Sequence, residues 1–331
     1  MRVLVTGGAG YVGSHAVREL VRCGHEPTVL DNLSVGHAAA VQGCPTVCGD
    51  LSDADGVLRT LRECGAEAVM HFAASAYVGE SVREPEKYYY NNVVNSLALL
   101  RAMREAGVER LVFSSSCTLY GVPDTVPVDE DQPIRPLSPY GRTKAAVEGI
   151  LADYAEAYGL RSACLRYFNA AGAASDGLTG EDHDPETHLI PLVIQAALGR
   201  RDGVAIYGTD YPTPDGTCIR DYVHVEDLAT AHVLAMEGLD ERPRAAYNLS
   251  TGRGHSVREV IEAVKAVSGA DVPVREEPRR PGDAPVLVGS SERIRRELGW
   301  SPRLASLEAI VGTAWRWHST HPEGYGGQGA R

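Results

Sequence analysis

No two cysteines of this 331-residue chain stand in a C-x-x-C unit. The seven cysteines are odd in number and scattered, with Cys44 and Cys48 the nearest pair. A zinc ribbon or a disulfide framework is therefore not expected, and a reducing compartment is favoured. No apolar run approaches the ~20 residues that span a bilayer. The chain opens directly into a strand-like run, without a charged n-region or apolar h-region, so the expectation is a cytoplasmic protein without a secretory signal. Positive charge is short as well, with 32 Lys and Arg against 44 Asp and Glu, a formal net charge of -12. That balance disfavours nonspecific binding to nucleic acid or an anionic membrane, and neither is expected as a partner. An anionic ligand would need local arginines. There is no internal repeat or low-complexity stretch.

What is present is organised around VLVTGGAGYVG, Val3 to Gly13. Val3, Leu4 and Val5 read as a buried strand, and Tyr11 to Cys23 has the mixed apolar and charged pattern of a helix. Gly7, Gly10 and Gly13 fall between and at the start of these runs. In a strand–turn–helix context the glycines serve a tight turn, main-chain approach to a pyrophosphate and close helix–sheet packing. The helix N-terminus adds N–H groups and partial positive charge for phosphates. The G-x-x-G-x-x-G spacing points to a short-chain-dehydrogenase type of dinucleotide site. A second strand, Pro27 to Leu30, ends in Asp31, 18 residues beyond Gly13. A carboxylate there accepts from a free ribose 2′-hydroxyl and repels a 2′-phosphate, so NAD is expected rather than NADP. A turn aspartate beside Asn32 is the blander account.

Further strands at Pro45–Cys48, Ala68–Phe72, Arg110–Phe113 and Leu160–Phe168 alternate with helices at Asp53–Glu63, Glu84–Ala106 and Ser138–Tyr158. This alternation predicts an α/β protein with a Rossmann-like doubly wound parallel sheet. Ligands on such a sheet lie at the carboxyl ends of the strands, where Asp31, Asp50, Ala73 and Ser116 fall. From Asn169 onward Gly, Asp, His and Pro crowd the segment to Pro191, and a second loop spans Gly208 to Ile219. Residues 1–168 are accordingly expected to form the NAD-binding domain, with returning elements from about 217–250. Residues 169–331 are expected to form a smaller substrate-binding lobe whose tail frays beyond His321.

Tyr140-Gly141-Arg142-Thr143-Lys144 is the second organising element. Tyr and Lys four apart share a helix face. A free tyrosine, with a pKa near ~10, is a poor base at neutral pH. A cation ~4 Å away at an effective dielectric of about 20 is worth up to ~4 kcal/mol, or about three pKa units. The charged nicotinamide would add to that shift, so Tyr140 is expected to be largely phenolate and to act as general base, with Ser116 relaying the proton of the reacting hydroxyl. Y-x-x-x-K alone is common by chance; behind a dinucleotide turn and a serine at a strand end it carries weight.

Read in order, TGGAGYVGSH, DNLS, HFAA, VGESV, FSSSC, SPYGRTK, LRYFNAAG and GTCIRDYVHVEDLA resemble the UDP-glucose 4-epimerases, extended short-chain dehydrogenase/reductases, over nearly the whole chain. The resemblance implies an NAD that is retained through turnover, a 4-keto sugar intermediate, a UDP-sugar substrate and a homodimer. It implies cofactor contacts at Tyr11 and Val12, from Asp31 and Asn32 to Gly36, at Asp50 and Leu51, along Phe72, Ala73 and Ala74 to Ala76, and at Asn91, Tyr140, Lys144 and Phe168. For the UDP-sugar it implies Ser116, Tyr140, Asn169, Ala205, Ile206, Tyr207, Arg220 and Arg280. Arginines suit a diphosphate because their planar donors match its oxygens.

Three departures from the family pattern stand out. A lysine frequent in the family is absent from Phe72-Ala73-Ala74-Ser75-Ala76. His188 stands where some members carry Asn near the uracil. The pocket gate, counted from Asp283, falls at Leu287 where glucose-restricted members have Tyr, which leaves room for an N-acetyl group. We therefore expect UDP-GlcNAc/UDP-GalNAc interconversion beside UDP-glucose/UDP-galactose. The His183–His188 cluster is read as a substrate cap rather than a metal site, since Pro185 interrupts it and no ligand pair has helical spacing. Three consecutive tyrosines, Tyr88 to Tyr90, cannot share a helix face, so some are expected in the core and others at a subunit contact. Cys117 is read as a small buried residue. A dehydratase usually carries an acidic pair where Cys117-Thr118 stand here, which argues against that activity. A UDP-pentose or uronate 4-epimerase would need the same residues, and a noncatalytic dinucleotide sensor would not need Tyr140, Lys144 and Ser116 together.

Overall fold

In the computed structural model, which describes residues 1–280 and 283–327, strand β1 (Arg2–Thr6) is buried from Val3 onward. That is the pattern of a strand covered on both faces. After it come α1 (Tyr11–Arg22), β2 (Glu26–Asp31), β3 (Thr46–Cys48), α2 (Ala54–Glu63) and β4 (Ala68–His71). Helices α3 (Val78–Arg83), α4 (Pro85–Tyr89) and α5 (Asn95–Ala106) lead to β5 (Arg110–Ser114), α6 (Pro139–Tyr158) and β6 (Arg161–Tyr167). The second half holds β7 (Asn169–Ala171), α7 (Leu189–Ala197), β8 (Val204–Tyr207), β9 (Ile219–His224), α8 (Val225–Glu237) and β10 (Arg244–Leu249). It closes with β11 (Gly254–Ser256), α9 (Val257–Ser268), β12 (Val274–Glu277), β13 (Val286–Leu287), α10 (Glu292–Leu298) and α11 (Leu307–Thr320).

Seven strands form one sheet in the order β10-β6-β5-β4-β1-β2-β3, and all six pairings are parallel. The chain builds outward from β1 through β2 and β3, then returns to β4 and builds the other way. The order reverses between β1 and β4, and a cleft opens at such a switch point. Both faces are covered. Val17 and Leu20 of α1 pack with Leu228, Val233 and Met236 of α8 and with Trp300 in one apolar cluster. Val57 and Leu61 of α2, Leu99 and Met103 of α5, and Val147 and Leu151 of α6 fill the other. Burying each such side chain is worth ~1.5–3 kcal/mol.

A third cluster, with Ile190 and Ile194 of α7, Val260 and Val264 of α9, and Ile310 and Val311 of α11, makes the core of the second lobe. Its sheets are small: β9 pairs with β7, β11 and β13, and β8 with β12. Of the segment expected to return to the large sheet, α8 and β10 do so, whereas β9 belongs to the lobe. The single helix expected from Glu84 to Ala106 is α4, a π turn at Tyr90–Val94, and α5. Within that run Tyr88 is fully buried, while Tyr89 and Tyr90 are exposed. All seven cysteines are free, and Cys117 is buried.

Candidate active site

Helix α1 starts without any side-chain cap: Gly10 is its N-cap and offers none. By contrast Asp53, Ser138, Ser256 and Ser306 cap α2, α6, α9 and α11. The first N–H groups of a helix need acceptors, and among the described residues no side chain supplies one at the cap. The glycines shape the space in front of that end. A Cβ on Gly7, which has φ +70°, would collide with the main chain of Phe72 and Ala73, and one on Gly13 with that of Gly7 and Gly8. A Cβ on Gly10 would meet only the Gly7 carbonyl, at 3.4 Å, and would project into the open turn. An uncapped helix behind a turn kept free of side chains fits an anionic pyrophosphate.

Asp31 ends β2 and has a structural task. Its Oδ2 accepts from Ala9 N at 2.9 Å and its Oδ1 from Leu33 N at 2.9 Å, so it holds the glycine turn in place. Asn32 donates to Asp50 at 2.6 Å. Asp50 and Asn91 both line a cavity of about 790 Å³ beside α4. The side chain of Leu51 packs in the core cluster of α2 and α5, so Leu51 can offer a ligand only main chain. Tyr11 turns its hydroxyl away, donating to the Gly172 carbonyl at 2.6 Å, and Val12 follows it in the first turn of α1. Phe72, Ala73 and Ala74 follow β4, where Phe72 and Ala73 N–H both donate to Thr6 O. Phe168 is buried with Cys117, Leu119 and Tyr120.

Ser116, Tyr140 and Lys144 come together beyond β5. Ser138 caps α6 through Gly141 N, with Pro139 in the first turn, and this sets Tyr140 and Lys144 on its inward face. Tyr140 is 7% exposed and Lys144 3%. Lys144 Nζ donates to Ser114 O at 2.7 Å and stands 4.8 Å from the Phe113 ring and 5.8 Å from that of Tyr140. In the protein without cofactor, Lys144 does not by itself make Tyr140 a phenolate. Burial pushes the Tyr140 phenol well above the usual tyrosine range, Tyr167 adds to the rise, and the Ser116 hydroxyl only partly offsets it. Burial also lowers Lys144 to about 7, against a weak pull upward from Glu148. Desolvation wins because both groups lose water and the amine is a ring's width from the phenol.

The substrate-side residues are more dispersed. Asn169 Nδ2 donates to Asp221 O at 2.8 Å. Arg220 is held by Asp283 at 3.0 Å and by the carbonyls of Ile219 and Ala284. Leu287 lies opposite Arg220 in the β13–β9 register and packs on the Cys117–Phe168 cluster. The Arg280 guanidinium lies 3.8 Å over the Tyr207 ring. In β8, Ala205 is half-buried and Tyr207 exposed, but Ile206 faces the lobe core at 1% exposure. Alternation along a strand forbids all three side chains of that run from meeting one ligand, so Ile206 can offer only main chain. His188 precedes α7 and turns to Glu181 and Glu186.

Several contributors escaped the sequence reading. Asn92, 3% exposed, accepts from Ser75 N at 2.8 Å and donates to Ser75 O and Thr143 Oγ1, tying the loop after β4 to the helix of Tyr140. Tyr167 hydrogen-bonds Ser114 at 2.8 Å. Glu148 and Arg166 form a buried ion pair that also takes Ser115 Oγ at 2.6 Å. Asp221, fully buried, accepts from Thr251 and Gly252. Their sequence signal was only that each is a polar residue beside an apolar run.

With a doubly wound sheet, a side-chain-free turn at its switch point and a buried Tyr–Lys pair, the chain has the build of a dinucleotide-dependent sugar-modifying enzyme. It belongs to the NAD dependent epimerase/dehydratase family, whose model matches residues 3–250. A UDP-glucose 4-epimerase of Halalkalibacterium halodurans is 50% identical over 98% of both chains. The crystal structure of the Brucella ovis UDP-glucose 4-epimerase in complex with NAD superposes with a TM-score of 0.93 at 50% identity, covering 96% of this chain and 98% of that one. The UDP-Glc/GlcNAc 4-epimerase of Campylobacter jejuni gives a TM-score of 0.85 at 41% identity, over 96% and 99% of the two chains.

Proposed function

We propose that this protein is an NAD-dependent UDP-hexose 4-epimerase, acting on UDP-glucose/UDP-galactose and, through the Leu287 gate, on UDP-GlcNAc/UDP-GalNAc. The convergence of Ser116, Tyr140 and Lys144 beyond β5, beside the glycine turn after β1, is the observation that carries this reading. NAD would be held by the N–H groups at Tyr11 and Val12, by Asp31 at the ribose, and by Asp50, Asn91 and the main chain from Phe72 to Ala74. When bound, NAD supplies the hydride acceptor for the sugar C4 and a positive charge beside Tyr140. Tyr140 takes the proton of the 4-hydroxyl and returns it, and Ser116 relays that proton and orients the oxygen. Lys144 donates from the floor of the site, where Ser114 O already fixes its Nζ. Because burial holds the phenol in its protonated form, Tyr140 must first lose that proton to serve as base, and this depends on positive charge arriving next to it. Arg220 and Arg280 would clamp the diphosphate, with Asp283 keeping Arg220 in place and Tyr207 supporting Arg280. Leu287, smaller than Tyr and opposite Arg220, leaves room for the N-acetyl group.

Incubating the purified protein, without added NAD, with UDP-glucose, UDP-GlcNAc and UDP-xylose separately tests the proposal. Each hexose should yield its 4-epimer. Absence of any UDP-galactose overturns the activity, and turnover of UDP-xylose alone favours the pentose reading. Tyr90, Val94 and Leu97 are exposed, four and three apart along the helical run. A homodimer through this face is part of the proposal, read out by light scattering. Among the described residues no helix is long and apolar enough to cross a membrane. Seven free cysteines support a reducing, cytoplasmic setting.

A further inference from the structure

The loop before α7 gathers two histidines and two glutamates that the proposed reaction does not use as a group. The side chains of Glu181 and Glu186 are 4% and 5% exposed. His183 Nδ1 lies 3.1 Å from Glu181 Oε1 and 3.8 Å from Glu186 Oε2. His188 Nδ1 lies 2.7 Å from that same Glu181 oxygen and 3.1 Å from Glu186 Oε1. One ligand atom from each of the four falls within 4.8 Å of the others. We propose that Glu181, His183, Glu186 and His188 bind a zinc-type divalent transition-metal ion that pins the loop to the start of α7.

At metal–ligand distances of ~2.0–2.1 Å, neighbouring ligands of a tetrahedral ion stand about 3.3 Å apart. Taking one atom from each side chain, His183 and His188 Nδ1 lie 3.1 and 2.7 Å from Glu181 Oε1 and His183 Nδ1 lies 3.8 Å from Glu186 Oε2, so the four already converge to near that spacing. Two imidazole nitrogens and two carboxylates select zinc and its neighbours over magnesium or calcium, which prefer all-oxygen shells. Two carboxylates also balance the charge of a divalent ion, with Glu181 and Glu186 buried and His188 half exposed.

The loop that carries the four side chains is itself held in place. Glu186 Oε1 accepts from Thr187 N at 2.6 Å and His188 N at 2.7 Å, which leaves Oε2 turned to His183. Trp317 Nε1 donates to Glu181 O at 3.0 Å, and Tyr325 N donates to Asp182 at 2.8 Å. The rings of Tyr11 and Tyr77 stand edge-on to His183, at 6.1 and 6.3 Å between centroids. A cavity of about 290 Å³, shared by Glu181, His183 and Glu186 with His318 and His321, gives an ion a way in. The sequence spacing E-x-H-x-x-E-x-H is not helical, and the cluster is legible only once the loop folds on itself. The expectation of no metal rested on that spacing. Such an ion is structural: Tyr11 reaches Gly172 and His188 leads into α7, so the loop from 172 to 188 would be fastened at both ends.

The test uses the whole protein as purified, dialysed against metal-free buffer and titrated with Co²⁺ and then Zn²⁺. One ion per chain is expected, with the visible absorption of tetrahedral Co²⁺, its displacement by Zn²⁺ and a rise in Tm. His183→Gln and Glu186→Gln should each weaken Zn²⁺ at least tenfold. X-ray absorption at the zinc edge of the wild-type protein serves where a variant fails to fold, and a nitrogen and oxygen shell with imidazole scattering is expected. No stoichiometric binding at submillimolar metal overturns the proposal. A sulfur shell, or affinity unchanged in both variants, overturns it as well.

Discussion

Two helices meet the cleft, and they begin in opposite ways. Helix α1 has a glycine at its N-cap and no side chain to satisfy its first N–H groups, while α6 is closed by Ser138 and opened by Pro139. An open start leaves donors for a ligand; a closed start fixes the direction of the side chains that follow. The first helix offers its backbone, the second its residues. The difference also divides the costs. At α1 the requirement is space, and at α6 it is the burial of two ionisable groups, Tyr140 and Lys144, that would be more stable in water.

Substituting on the α6 side should have the largest effect on catalysis. Tyr140→Phe removes the proton acceptor and should cut turnover by ~10²–10⁴-fold while the protein still purifies with NAD. Loss of NAD along with activity would mean that Tyr140 acts mainly in cofactor retention. On the α1 side the expected loss is of cofactor. Gly10→Val keeps the fold, since the Gly7 carbonyl at 3.4 Å is its one close neighbour, and should purify without NAD. Gly13→Val collides with the main chain of Gly7 and Gly8 and should lower Tm as well. A Gly10→Val protein with a full complement of NAD breaks the comparison.

Lys144→Met sharpens it further. Keeping an amine near 7 rather than at its ordinary 10.5 costs the cofactor-free fold up to about 5 kcal/mol of protonation energy at neutral pH. Lys144→Met should therefore abolish most activity yet raise the Tm of the cofactor-free protein, and a lower Tm in that state would show that the bond to Ser114 O outweighs desolvation. A broader and gentler effect concerns pH. Burial depresses His15, His224 and His232 to about 4 and His71 to about 3. Bases that are neutral when folded bind more protons when unfolded between about 4 and 6.5. Stability should fall as pH drops through that window, partly opposed by Asp221, which burial raises to about 6. Melting temperatures that stay flat from pH 7 to 5 would contradict this account.

The α1 side was legible because its elements are consecutive. A strand, three glycines and a helix within 22 residues carry their own context, and Asp31 is placed by the next strand. The α6 side was half legible. The Tyr140–Lys144 spacing and the Ser138-Pro139 start could be read, but the desolvation that opposes a phenolate in the cofactor-free protein could not, because it depends on what covers the ring. Asn92 was lost for a similar reason: its partners Ser75 and Thr143 are 17 and 51 residues away.

By itself the sequence determined the alternating strand–helix order, the turn that must stay free of side chains, and the helix face shared by Tyr140 and Lys144. Each depends on chain geometry over a few residues, where periodicity and glycine's lack of a Cβ leave one solution. Tertiary structure decided the rest. It turned Ile206 and Leu51 into the cores, sent β10 to the edge of a sheet that begins more than 240 residues earlier, and withheld water from Tyr140 and Lys144. It also folded Glu181, His183, Glu186 and His188 into one cluster. Burial and long-range contact set these outcomes, and neither is encoded in the spacing of neighbours along the chain.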